Sequence, residues 1–374
     1  MTRNLTGRTR AAALAATGAV RRIAYVDVFR GLLIAHMALD HASLMFNAGR
    51  AGEELAASPA PVYGDFLQFL TRFTGAPVAP AFFFMAGFMV AMTSAARADR
   101  GVADTDITRR LVTRGLVLIG VDALVMGLPR ALMGFYSFMV LSSIGVALIG
   151  LAWLRRVPSR YLLAGALGVL ALHPLLDVSA LPTALRAIVY EPVREGVVRS
   201  MYPIVPWCAI VVLGYVAGRD TALHGPRVRR WLLLAALSAA LFSLVRLSGG
   251  YGNAYAYESI ASQAFWTFAK YPPDLAFLTF AFTFIFLGLA VLARIAGEAT
   301  PAWLRPFEVF GRVPFFFYVV HFYVLGVAQA LVRTQVGLFE TYLIWLALLA
   351  AMLWPCAWYF RKKRERPNLI TRYL

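Results

Sequence analysis

Apolar residues in this chain fall into long runs, not into the short alternations of a soluble fold. A membrane span takes roughly 17–25 mostly apolar residues, and about ten stretches qualify. In the first half they are Tyr25–Phe46, Ala79–Ala96, Leu111–Leu128, Gly134–Leu154 and Tyr161–Asp177. The second half supplies Met201–Gly218, Trp231–Leu247, Leu275–Ile295, Val313–Val332 and Thr341–Phe360. His173 and Pro174 interrupt the fifth, and if it fails to cross, every later loop changes side. Two connections are long: Asn47–Val78, with Glu53, Glu54 and Asp65, and Ser248–Asp274, rich in Gly, Tyr, Ser and Ala. Loops of this length are often functional, and their aromatic residues suit either sugar contact or an interfacial belt.

Composition supports the same picture. Hydrophobic residues make up 60% of the 374 and charged residues 15%, whereas a soluble domain has nearer half and a quarter. The fold class is therefore all-α, a polytopic integral membrane helical bundle of about ten transmembrane helices. Its net charge of +17 would suggest nucleic acid in a soluble protein. Here the basic residues cluster at the ends of alternate apolar runs: Arg3 to Arg22, Arg97 to Arg110, Arg155 to Arg160, Arg219 to Arg230, Arg294 to Arg312, and "RKKRER". That placement argues against a nucleic-acid partner and orients both termini toward the cytoplasm, N-in and C-in. Residues 1–24 read as a basic tail, 25–360 as one transmembrane domain and 361–374 as a second basic tail. Cys208 and Cys356 sit in apolar runs with no metal-ligand spacing, and no metal is expected.

The first apolar run is unusual in its chemistry. "DVFRGLLIAHMALDHA" carries Asp27, Arg30, His36, Asp40 and His41 inside a span, where ionisable groups are costly and by default functional. Arg30 and His41 are eleven residues apart, close to three helical turns, so they share one face roughly 16 Å apart. A fixed cation toward the inside and a titratable base further out suit a reaction whose substrates arrive from opposite sides. His36 and Asp40 stand at i, i+4 on another face, where a mutual hydrogen bond is feasible. His321, mid-way along the ninth run, and Arg114 and Asp122 in the third are further intramembrane candidates. The competing reading for each is purely structural, a buried hydrogen bond that ties helices together.

These residues carry a resemblance. The first run resembles the opening helix of transmembrane acyltransferases, D-x-x-R-G with a histidine eleven residues after the arginine. "AFFFMAGFMVAM", "MYPIVPWCAIVVLGYVAGR", "KYPPDLAFLTFAF" and "FEVFGRVPFFFYVVHFYVLG" follow in order. As a set, from Asp27 to Gly326, they are similar to bacterial members of the heparan-alpha-glucosaminide N-acetyltransferase catalytic family. The resemblance implies transfer of an acyl group, acetyl above all, from cytoplasmic acyl-CoA to an amine or hydroxyl on the far side. The acceptor is expected to be a sugar, and the location the bacterial inner membrane. It assigns Asp27, Arg30 and His41 to the active core, with His41 as general base, and puts His321 and Lys270 at motif positions near the pore, His321 as a further catalytic candidate and Lys270 as a candidate for binding the acyl-CoA donor. Arg30, Arg114, Arg305 and Arg312 are candidates for the CoA phosphates, because guanidinium matches phosphate by paired hydrogen bonds. A homodimer is compatible with such a bundle. The sequence departs from the lysosomal relative in having no histidine in the outer loop Asn47–Val78. A proton-coupled transporter or flippase, or an inactive acyltransferase-like scaffold, is the alternative function.

Overall fold

The computed structural model describes residues 24–194, 196–296 and 299–365, so the N-terminal tail and the end of the C-terminal tail lie outside the described residues. A helix occupies each of the ten apolar stretches. In chain order the α-helices of eight or more residues are α1 (Ala24–Phe46), α2 (Phe66–Gly75), α3 (Val78–Ala98), α4 (Asp104–Val121), α5 (Val140–Leu154) and α6 (Ser159–Leu172). They continue as α7 (Ile204–His224), α8 (Val228–Ser248), α9 (Leu275–Ile295), α10 (Arg305–Arg312), α11 (Pro314–Val332) and α12 (Leu338–Glu365). Among the described residues six helical segments are long and apolar enough to cross a bilayer on that basis alone: Phe66–Ala98, α7, α8, α9, α11 and α12. The ionisable residues of α1 lower its hydropathy. The fifth stretch stops at Leu172, where His173–Leu175 tightens into a 3-10 turn at the proline. At 14 residues α6 is about 21 Å long, less than the hydrocarbon thickness.

Hydrogen bonds and ion pairs define two ends. At the basic end, Arg155 and Arg156 after α5 pair with Asp104 at the start of α4, and Arg219 in α7 donates to the Val157 carbonyl. The loop end joins Phe46 and Ala48 to Val336, and Glu54 and Ala56 to Lys270 and Tyr271. There too a short parallel pair forms, β1 (Tyr136–Phe138) beside β2 (Val198–Ser200). The fourth stretch therefore enters its helix later than the apolar run suggested. The Asp122 carboxylate accepts from the Met139 and Ser142 amides and so satisfies the start of α5.

Backbone contact at glycine holds the bundle together. A Cβ on Gly31 would fall 1.7 Å from the Phe307 carbonyl oxygen, and one on Gly311 would fall 1.7 Å from that of Asp27. Helix α10 thus lies directly against α1. Gly87 and Gly214 make the matching contact between α3 and α7, at 1.8 and 1.9 Å from opposing carbonyl oxygens. Small residues serve this purpose where lipid removes the hydrophobic drive between helices.

The loop Ser248–Asp274 is folded back, not free. Arg246 at the end of α8 is fully buried (0% exposed) and donates to the carbonyls of Phe265 (2.7 Å), Tyr255 (2.9 Å) and Ala264 (2.5 Å) and to Asn253 Oδ1 (3.0 Å). The Asp274 carboxylate caps α9 and also accepts from the Ala254 and Ala269 amides. Tyr255, Tyr257 and Tyr271 spend their hydroxyls on Leu55, Arg246 and Tyr202. Arg246→Met strips several carbonyls of a charged donor and is expected to cost on the order of 3 kcal/mol. Limited proteolysis in detergent should then cut within 249–274 well before the rest of the chain; unchanged protection would show that Arg246 does not hold this loop.

Candidate functional site

A cavity of about 550 Å³ runs inside the bundle. Its walls come from α1, α3, α4, α5 and α11 and from the loop-end segments around Arg50, Met201 and Lys270. Arg30 and Arg114 line it within the helices, and His41, Arg50, Glu53 and Lys270 line it toward the loop end. Arg30 and His41 thus face the same space, as their spacing on one helix predicts. The walls between them are apolar, with Met37, Met85, Met89 and Leu118.

Two histidines from distant parts of the chain meet at this cavity. His41 Nδ1 lies 2.8 Å from His321 Nε2, and His321 Nδ1 lies 2.8 Å from the Phe317 carbonyl oxygen one turn earlier in α11. His321 is fully buried and does not itself line the cavity, whereas His41 does. Aromatic rings enclose the pair: Phe317 beside His321, and Phe322 edge-on to His41.

The electrostatics of the walls are lopsided. Among the described lining residues seven are cationic, Arg30, Arg50, Arg114, Arg130, Arg194, Arg199 and Lys270, against the carboxyl groups of Asp40, Glu53 and Asp122. Two of those three carboxylates are already engaged by arginine. Asp40 accepts from Arg50 (2.9 Å) and Arg72 (2.6 Å), and Glu53 from Arg50 (3.1 Å) and Arg72 (2.7 Å). Arg72 also pairs with Glu54 and so ties α2 and the first long loop to α1. Burial works to raise the Glu53 carboxyl, but Arg72 and Arg50 outweigh it and hold it below the usual range.

The other sequence candidates fall as follows. Asp27 is buried beside Arg30, with an oxygen 3.2 Å from the guanidinium. Arg114 reaches the cavity deep in the bundle with no ion pair among the described residues. Arg312 pairs with Glu308 in α10 and lies over the Phe360 ring. Neither Arg305 nor Arg312 is among the described lining residues. The His36–Asp40 bond does not form: two arginines take Asp40, and His36 Nε2 is buried with no hydrogen-bond partner among the described residues. The linking role of Arg72 was not foreseen; its only signal was an arginine in a long connection that also holds Glu53 and Glu54 and is otherwise poor in basic residues. No group of three or more metal-ligating side chains occurs among the described residues.

The fold and site are those of an integral membrane helical bundle with a cationic internal cavity, on whose wall His41 stands backed by His321. Residues 22–251 match the family model described as heparan-alpha-glucosaminide N-acetyltransferase, catalytic, and the chain belongs to that family of membrane acetyltransferases. The family's donor is acetyl-CoA. The matched region holds α1 to α8, with Arg30, His41 and Arg114, while Lys270 and His321 lie beyond it. No curated protein matches the chain significantly.

Proposed function

We propose that the protein takes an acetyl group from cytoplasmic acetyl-CoA and passes it to an amine or hydroxyl of an extracytoplasmic acceptor, a sugar or glycan, across a bacterial inner membrane. The observation that carries this reading is that one cavity holds both Arg30 and Arg114 and, further toward the loop end, His41. The basic end faces the cytoplasm by the positive-inside rule. Coenzyme A phosphates neutralise Arg30 and Arg114, and the pantetheine arm runs along the apolar wall to bring the thioester to His41. His41 removes the proton of the acceptor as its nitrogen or oxygen attacks the thioester carbonyl. Lys270 stands near the loop end of the cavity, where it stabilises the developing oxyanion. The thiolate leaves and is protonated to free CoA.

The test is acceptor-dependent release of free CoA by purified protein, with acetyl-CoA and a panel of amino sugars and hydroxylated sugars. Arg114→Gln is expected to raise the KM for acetyl-CoA about tenfold or more, the cost of one charge-assisted contact, with kcat little changed. A variant with unaltered KM would remove Arg114 from the donor site. Absence of both turnover and acetyl-CoA binding in the wild type would defeat the reading and favour transport.

A further inference from the structure

The two bonds of the histidine pair fix where its protons lie. A carbonyl oxygen only accepts, so the bond at Phe317 requires the proton of His321 on Nδ1. Neutral His321 then presents a lone pair at Nε2. Two lone pairs do not face each other at 2.8 Å, so His41 must carry its own proton on Nδ1 and donate it. The ring planes lie within 8° of each other and the centroids are 5.1 Å apart. The rings therefore meet edge to edge, as a straight N–H···N bond demands.

We propose that His321 is a positioning residue: through the chain Phe317 carbonyl, His321, His41, it holds the lone pair of His41 on Nε2, the nitrogen that serves as base. This rests on the acyltransfer reading for its consequence but not for its geometry. When the acceptor N–H or O–H gives its proton to His41 Nε2, its electron pair forms the new bond to the acetyl carbon and the C–S bond breaks. His41 becomes an imidazolium whose Nδ1–H still donates to His321 Nε2, and the charge is stabilised without any group moving. The proton then passes from Nε2 to the departing thiolate. A base with the opposite tautomer would offer an N–H to the acceptor and accept nothing. His321 is too buried to touch either substrate.

Two substitutions separate positioning from simple packing. In His321→Gln the side-chain carbonyl still accepts from His41 Nδ1, whereas in His321→Leu nothing does. The expected result is that His321→Leu loses kcat by about 10²- to 10⁴-fold, as for other enzymes whose catalytic histidine loses its orienting partner, with the KM for acetyl-CoA unchanged. His321→Gln should recover most of that loss. Wild-type kcat in His321→Leu overturns the proposal. So does equal inactivity of both variants in folded, donor-binding protein, because the imidazole itself would then be needed. A second measurement is independent of activity. Nitrogen NMR of ¹⁵N-histidine-labelled protein, with His41 assigned by its absence in His41→Asn, should show a protonated Nδ1 and a bare Nε2. A protonated Nε2 in neutral His41 refutes the tautomer even if no acceptor is ever found; a bare Nε2 with no turnover would leave the pair standing and remove only the acyltransfer reading.

Discussion

His41→Ala should lower acceptor-dependent CoA release by about 10²- to 10⁴-fold while acetyl-CoA still binds. The size follows from what is removed. His41 is the histidine that lines the cavity, and no other member of the pair faces that space. Its backbone position in α1 is helical and its neighbours are aromatic, so alanine leaves a void but no unpaired charge. His321 loses one partner and keeps its bond to Phe317. The helix and the Arg30 side of the cavity therefore survive, and the loss should fall on kcat. Stopped-flow detection of free thiol, with donor affinity measured separately, checks both halves. Turnover within a few-fold of wild type would leave the enzyme standing and dismiss His41 as its base.

The second large effect concerns folding. Gly311→Ala places a Cβ 1.7 Å from the Asp27 carbonyl oxygen, far inside contact distance, and the obstacle is backbone with no side chain to swing away. Helix α10 must separate from α1 to admit it. Overpacking costs typically 1–3 kcal/mol, and this site should exceed that range because two backbones are forced apart. Gly326→Ala in α11 meets nothing within 4 Å and should be neutral or gain up to about 1 kcal/mol from helix propensity. Thermal unfolding of the two variants in the same detergent makes the comparison. Similar midpoints for both would mean that the crossing is not tight in solution. The effect also reaches the site, since Asp27 and its partner Arg30 stand at this crossing.

The D-x-x-R-G signature joins two separate demands. Arg30 supplies charge to the cavity, while Gly31 lets the Phe307 carbonyl approach α1. Only the first was legible from residue chemistry. The apolar runs located the long helices well, because a run long enough to span fixes its own structure in lipid. Helix α2 and the half-helix α10 escaped that reading. They are short and amphipathic, and their places are set by packing against α1. The strand pair β1–β2 was equally invisible, since each strand has three residues and its partner lies far along the chain. In the site, the shared face of Arg30 and His41 follows from helical period. The meeting of His41 with His321, 280 positions apart, does not, because no local rule brings α11 to α1. Arg246 left a readable trace, an arginine in the last turn of an apolar helix before a tyrosine-rich loop, but its fully buried role depends on carbonyls that turn inward only once the loop is folded.

The surplus of guanidinium groups around the cavity has a consequence beyond catalysis. A hollow inside a bilayer protein is a potential leak, and an energised membrane cannot spare protons or sodium ions. Fixed positive charge repels both, as arginine does in pores that conduct neutral solutes. The Arg72 bolt to Asp40, Glu53 and Glu54 occupies the carboxylates at the loop end that would otherwise attract cations inward. The same positive lining that suits an anionic donor is thus expected to oppose cation leak through the cavity.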